Sequence, residues 1–118
     1  MTVTFDQTYL QELYTDGQAS DKGGTRDVDN IVGGYHHRFQ PQIVSKYVKV
    51  VNLMKQQENV VGLTRFGSLH YEKLHGDKEG LSSVRVNDQY RIEFAESLEE
   101  GKQIATICNI TELSNRYK

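Results

Sequence analysis

Leu81-Ser82-Ser83-Val84-Arg85-Val86-Asn87-Asp88-Gln89-Tyr90-Arg91-Ile92-Glu93-Phe94 is the stretch on which the fold turns. Successive side chains of an extended strand point to opposite faces. Val84 and Val86 therefore share one face, and Ser83 and Arg85 the other. Asn87-Asp88 is a hairpin-turn signal. Beyond it Tyr90, Ile92 and Phe94 fall on a core face, while Arg91 and Glu93 project from the opposite one. The stretch predicts an antiparallel hairpin with one apolar side.

Downstream, Ala95 to Lys102 reads as a charged turn. Gln103 to Ile110 reads as a third strand, apolar enough to be central. The tail, Thr111 to Lys118, is polar and carries Arg116, Tyr117 and Lys118. Upstream, Pro41 suits the first position of a helix, where its missing N–H costs nothing. Val44, Tyr47, Val48, Val51 and Met54 then recur at helical spacing, predicting a helix over Pro41–Gln57 with Lys46 and Lys49 facing water. A short turn or helix is expected at Glu58–Leu63. At the start, Val3 and Phe5 suit a strand. Asp6 reads as the N-cap of a helix over Gln7–Tyr14, with Phe5 and Leu10 as a hydrophobic staple.

Between Thr15 and His37 the pattern breaks. Gly17, Gly23, Gly24, Gly33 and Gly34 fall in a stretch of little apolar content, read as a flexible loop, or a loop with a short helix near Asp27–Val32. The order is strand, helix, long loop, helix and a three-stranded meander. That is an α+β fold with helices on one face of an antiparallel sheet and Arg91 on the exposed face.

The 118 residues suit one domain, 1–118, with an insertion at 15–37. No apolar run approaches the ~20 residues of a membrane span, so no membrane partner is expected. The opening Met1-Thr2-Val3-Thr4-Phe5-Asp6 lacks the features of a secretory signal. Cys108 is the lone cysteine, which excludes an internal disulfide framework and is expected to be a buried core thiol. The expectation is a cytoplasmic protein. Net charge is −2, but residues 1–36 carry 2 Lys/Arg against 6 Asp/Glu, residues 37–69 carry 5 against 1, and residues 70–118 carry 7 against 9. The basic middle is where a polyanion contact is first sought.

The segment Leu74-His75-Gly76-Asp77-Lys78-Glu79-Gly80-Leu81 through Phe94 resembles the signature of HigB-type toxins within the RelE/ParE superfamily. There a Leu-x-Gly-Asp-Arg/Lys turn leads into a strand and hairpin ending in aromatic-Arg-Ile-x-Phe. The resemblance implies a compact RelE-like fold, an αα hairpin on a twisted antiparallel sheet. It implies cleavage of mRNA on the ribosome. It also implies a neutralising antitoxin, in HigB systems a helix-turn-helix protein of the HigA kind. No cofactor is implied.

Metal-independent RNA cleavage uses the substrate's own 2′-hydroxyl as nucleophile. A base must take its proton, a cation must stabilise the phosphorane, and an acid must protonate the leaving 5′-oxygen. Arg91 matches the family's strand arginine and suits bidentate phosphate contact; the competing reading is a structural ion pair to Glu93 or to a neighbouring strand. Arg85 is the second candidate for RNA contact. Tyr117 and Lys118 stand near the C-terminus, where RelE-type chains place a tyrosine or histidine; HigB-type chains end in Asp-Tyr-His, and this chain ends in Asn115-Arg116-Tyr117-Lys118. His70 or His75 could occupy the family's Leu-His-Pro-Leu position, although the stretch here is two residues longer and lacks the proline. Lys73, Arg116, Lys46 and Lys49 are further RNA-binding candidates, and Asn109 and Glu112 weaker site candidates.

His36-His37 lacks a third ligand at metal spacing, so no metal site is expected. The Gly-Gly pairs form no phosphate loop, and no Gly-x-Ser-x-Gly elbow occurs. Two rivals keep the fold and change the activity: a ParE-like inhibitor of DNA gyrase, which needs no catalytic set, and an inactive member that acts only through antitoxin binding.

Overall fold

The computed structural model describes residues 1–21 and 39–115. Two helices, α1 (Thr8–Asp21) and α2 (Pro41–Gln56), lie on one face of a sheet built from β1 (Thr2–Phe5), β2 (Glu72–Lys73), β3 (Leu81–Arg85), β4 (Tyr90–Ser97) and β5 (Ile107–Asn115). The strand order is β1-β5-β4-β3-β2. β1 runs parallel to β5 and the other pairs are antiparallel. The expected α+β architecture, the meander and the helices on one face are all present. Among the described residues no helix is long and apolar enough to cross a membrane.

α2 begins at Pro41, as its fixed φ favours, and ends one residue short of the expected Gln57. Val44, Tyr47, Val48, Val51 and Met54 are all buried, while Lys46 and Lys49 face water. The sheet supplies the other half of the core: Val84 from β3 and Val86 just after it, Ile92 and Phe94 from β4, Cys108, Ile110 and Leu113 from β5. Burying each large side chain of this set stabilises the fold by roughly 1.5–3 kcal/mol. Burial pushes the Cys108 thiol up to about 12, so it stays protonated at neutral pH.

Several expectations are corrected. Ala95 to Ser97, expected in the charged turn, continue β4. α1 starts at Thr8, not Gln7, which leaves Asp6 one residue too far out to cap it; its carboxylate instead accepts from Asn109 Nδ2 at 3.5 Å. α1 also runs on to Asp21, so residues 15–21 are helix and not loop. The reason is tertiary. The Tyr47 hydroxyl donates to the Leu10 carbonyl at 2.9 Å, and the two helices come so close at Gly17 that a Cβ there would stand 2.6 Å from Val48 Cγ2 and 3.0 Å from Val44 Cγ1. The low intrinsic propensity of glycine is outweighed by the close contact its missing side chain allows. The remaining stretch of the expected loop, 22–38, with His36 and His37, lies outside the described residues.

The last strand is also displaced. It starts at Ile107 rather than Gln103 and takes in Thr111–Asn115, which had read as tail. A bulge at Thr111 accounts for the part beyond Ile110: Phe94 pairs with Ile110 but Glu93 pairs with Glu112, so β5 has one extra residue opposite β4. The bulge places Ile110 and Leu113, three apart, on the same apolar face, and so breaks the alternation that marks a strand in sequence.

Gly17→Ala is expected to lower stability by about 1 kcal/mol. Alanine gains up to ~1 kcal/mol of helix propensity, but overpacking against two valines costs roughly 1–3 kcal/mol. Urea denaturation measures the balance, and a stabilised variant would contradict the close approach.

Candidate functional site

The β3–β4 register decides what the open face of the sheet displays. Val84 pairs with Ile92 on the helix side; Arg85 pairs with Arg91, and Ser83 with Glu93, on the open side. Like charges directly opposite one another destabilise a sheet. The two guanidiniums are held there by acids of their own: Arg85 is paired with Asp88 in the turn, and Arg91 Nε donates to Glu93 Oε2 at 3.0 Å. The turn is fixed by the Asn87 side chain, whose Oδ1 accepts from the N–H groups of Gln89 and Tyr90.

β2 brings an acid to the same face. Glu72 pairs with Ser83, so its side chain follows the same alternation. The chain reaches β2 through a 3-10 turn, Gly67–Leu69, closed by His70 in a left-handed conformation, φ 46° and ψ 50°. A non-glycine residue there costs about 1 kcal/mol or more, and such residues cluster at functional sites. The kink carries Tyr71 to the helix side and Glu72 to the open side. A cavity of about 220 Å³ results, lined by His70, Tyr71, Glu72, Ser83, Arg85 and Arg91. Two cations, a carboxylate and an imidazole thus surround a space of mononucleotide scale.

Beneath Arg91 lies an ion cluster that sequence alternation does not reveal. Glu93 points away from the helices, yet its side chain is 1% exposed. Lys78, from the 3-10 turn Gly76–Lys78, covers it, with Nζ 2.7 and 2.9 Å from its two oxygens; Lys78 also reaches Glu112 at 3.6 Å. The hydrogen bond to Glu93 holds the Lys78 ammonium above the ordinary lysine range. Arg91 is therefore anchored at Nε, and its position on the face is set by a buried acid.

The sequence candidates separate into groups. Arg85, Arg91 and His70 come together in the open-face cavity. Lys73 and His75 do not: they line another cavity, of about 570 Å³, with Glu96, Leu81 and Leu98. Lys46 and Lys49 line a third with Arg85. Asn109 sits near β1, where the Thr4 hydroxyl donates to its Oδ1 at 2.8 Å. Arg116, Tyr117 and Lys118 lie outside the described residues. Glu72, Lys78 and Ser83 were missed. The only signal for Glu72 was its distance in sequence from the hairpin, which requires the pairing of a two-residue strand to interpret. Among the described residues no three His, Cys, Asp or Glu side chains cluster as metal ligands.

At the sheet's edge, Glu96 accepts from the Tyr71 hydroxyl, from Ser82 Oγ at 2.7 Å and from Lys73 Nζ at 3.4 Å. Burial raises the Glu96 carboxyl, but the hydrogen bonds from Tyr71 and Ser82 and the Lys73 charge outweigh it and hold it below the ordinary 4.5. A depressed folded value stabilises the protein above 4.5 and is lost as pH falls through it. Glu96→Gln is expected to flatten the acid-side fall in Tm below about pH 4.5. An unchanged slope would show that Glu96 carries no part of it.

No protein-family model matches the sequence, and no curated protein matches it. Among solved structures, the chain is similar to a YoeB/ParE toxin from Agrobacterium tumefaciens, with TM-score 0.55 and 15% identity over 99% of this chain and 100% of that one. It is also similar to a YoeB-YefM complex from Staphylococcus aureus, with TM-score 0.52 and 15% identity over 97% of this chain and 94% of that one. The protein therefore has the fold of the YoeB/ParE toxins.

Proposed function

We propose that the protein is a toxin of a toxin–antitoxin system and acts as a metal-independent endoribonuclease on mRNA, in the manner of the HigB and RelE toxins it resembles. The observation that carries this reading is the open-face cavity, where Arg85 and Arg91 stand opposite Glu72 and His70. Two guanidiniums side by side suit the non-bridging oxygens of one phosphate. Glu72 takes the proton from the 2′-hydroxyl as its oxygen attacks phosphorus. The P–O2′ bond forms and the P–O5′ bond breaks, with His70 giving a proton to the leaving 5′-oxygen. The products are a 2′,3′-cyclic phosphate and a 5′-hydroxyl. Arg91, anchored on Glu93, neutralises charge on the phosphorane and needs little reorganisation to do so.

Tyr117 and Lys118 belong to this proposal as helpers. Ser114 pairs with Arg91 and Asn115 with Tyr90, so the described end of β5 lies beside the cavity. The fold shared with the toxin of a YoeB-YefM complex supports an antitoxin partner; a helix-turn-helix, HigA-like antitoxin and a ribosomal setting are proposed from the resemblance.

The test is incubation of the purified protein, alone and with ribosomes, with an mRNA and with the same strand carrying 2′-deoxy residues. New 5′-hydroxyl ends on the RNA, absent from the deoxy strand and from Glu72→Gln, are expected. Growth arrest with intact mRNA and blocked DNA supercoiling would replace this reading with gyrase inhibition. Antitoxin binding without arrest would replace it with an inactive partner protein.

A further inference from the structure

A groove between α2 and the end of β3, about 500 Å³ in volume, adjoins the open-face cavity through a shared wall, Arg85. Its rim carries Lys46 and Lys49, and its floor Val50, Leu53 and Val86. Gln42, Lys46, Lys49 and Leu53 fall at i, i+4, i+7 and i+11 of one helix, so a single face of α2 presents them. Both lysines are exposed, and among the described residues neither makes an ion pair. The acid beside the groove is Asp88, on Arg85 itself.

We propose that this groove binds the nucleotides flanking the cleaved phosphodiester, and that RNA crosses from one site to the other over Arg85. The inference rests on the ribonuclease reading above. Three arguments support RNA as the occupant. The rim is cationic, in the one third of the chain with excess positive charge, 5 Lys/Arg against 1 Asp/Glu over residues 37–69. The floor is apolar, which suits the face of a base, while the lysines suit the phosphates on either side. And the groove is continuous with the cavity that would hold the scissile phosphate, so one strand serves both. Arg85 is then a shared contact: Asp88 holds it at the saddle, and phosphates approach it from both sides.

The arrangement makes substrate length matter. A dinucleotide fills the open-face cavity alone; a hexanucleotide reaches the lysines. The experiment is fluorescence anisotropy with a labelled 2′-O-methyl hexanucleotide, which resists cleavage, and with the matching dinucleotide, across 50–200 mM salt. The protein is compared with Lys46→Ala/Lys49→Ala, Lys46→Arg/Lys49→Arg and Arg91→Ala. Two lost phosphate contacts should reduce the slope of log affinity against log salt by about 1.4, from ~0.7 per contact on single strands. Over that fourfold salt range the wild-type affinity then falls by about sevenfold more than the alanine variant's. The hexanucleotide should lose its advantage over the dinucleotide, and the arginine pair should retain it.

Equal affinity and slope in wild type and alanine variant would overturn the groove while leaving the ribonuclease reading in place, provided the wild type still cleaves the unmodified RNA. A wild type that binds neither oligonucleotide would overturn both. Loss of antitoxin binding in the alanine variant, with hexanucleotide affinity unchanged, would assign the groove to a protein partner and overturn the proposal.

Discussion

Arg91→Ala is expected to lower the rate of RNA cleavage by about 10²–10³-fold, the usual loss when one preorganised donor to a developing oxyanion is removed. The geometry favours so large an effect. Arg91 Nε is committed to Glu93 at 3.0 Å, which leaves the terminal nitrogens aimed from a fixed guanidinium plane. Arg85, directly across on β3, is paired with Asp88 and half-buried, so it cannot simply move into the vacated place. Arg91→Lys should recover only part of the loss, because an ammonium lacks the planar fork. The fall should appear in kcat more than in KM if the contact strengthens in the transition state. The fold should survive, since Glu93 keeps both its bonds from Lys78. A cleavage rate within threefold of wild type, with unchanged circular dichroism, would remove Arg91 from the chemistry and return it to the role of a structural ion pair.

Lys78→Met is expected to cost about 2–3 kcal/mol of folding stability, the largest effect predicted for any single surface-connected residue here. Breaking a buried ion pair by deleting one partner typically costs ~3–5 kcal/mol, because a desolvated charge is left behind. Here Arg91 still reaches Glu93, and the Lys78 side chain is 38% exposed, so the loss falls just below that range. The double variant Lys78→Met/Glu93→Gln should recover part of the loss, since removing both charges also removes their desolvation cost. The pH dependence has a definite sign. The Lys78 ammonium is held above its ordinary 10.5, so its contribution is complete below that value and fades only as pH rises through the raised one. Urea denaturation at neutral pH measures the single variant. A change under about 0.5 kcal/mol would mean that the pair behaves as a solvent-exposed one. A parallel loss of cleavage beyond the loss of fold would tie Lys78 to the placement of Arg91.

Part of the site could be read directly from local pattern. The β3–β4 hairpin follows from alternation and an Asn-Asp turn, both of which act over a few residues. That alone places Arg85 and Arg91 on one face and Ile92 and Phe94 on the other. Glu93 shows the limit of the same reasoning. Alternation assigns it to the open face, where a carboxylate is expected to be hydrated. It is buried because Lys78, fifteen residues earlier, folds over it from a 3-10 turn, and nothing periodic marks that contact. Glu72 was missed for a related reason: its strand is two residues long, too short for any period to register.

The sequence by itself determined α2, the hairpin, the burial of Cys108 and the helix-on-sheet class. Each depends on the spacing of apolar side chains along a regular backbone, which every residue carries locally. The tertiary structure decided the rest. α1 extends through Gly17 because two valines of α2 pack into the space a side chain would fill. β5 continues past Ile110 because a bulge lets Leu113 return to the core. β1 lies parallel to β5, with Thr2 against Ile107, a pairing between opposite ends of the chain. The open-face cavity exists because β2, β3 and β4 meet in one register and His70 turns the chain into it. Such contacts gain their energy only when distant segments have already met, so no window of neighbouring residues contains them.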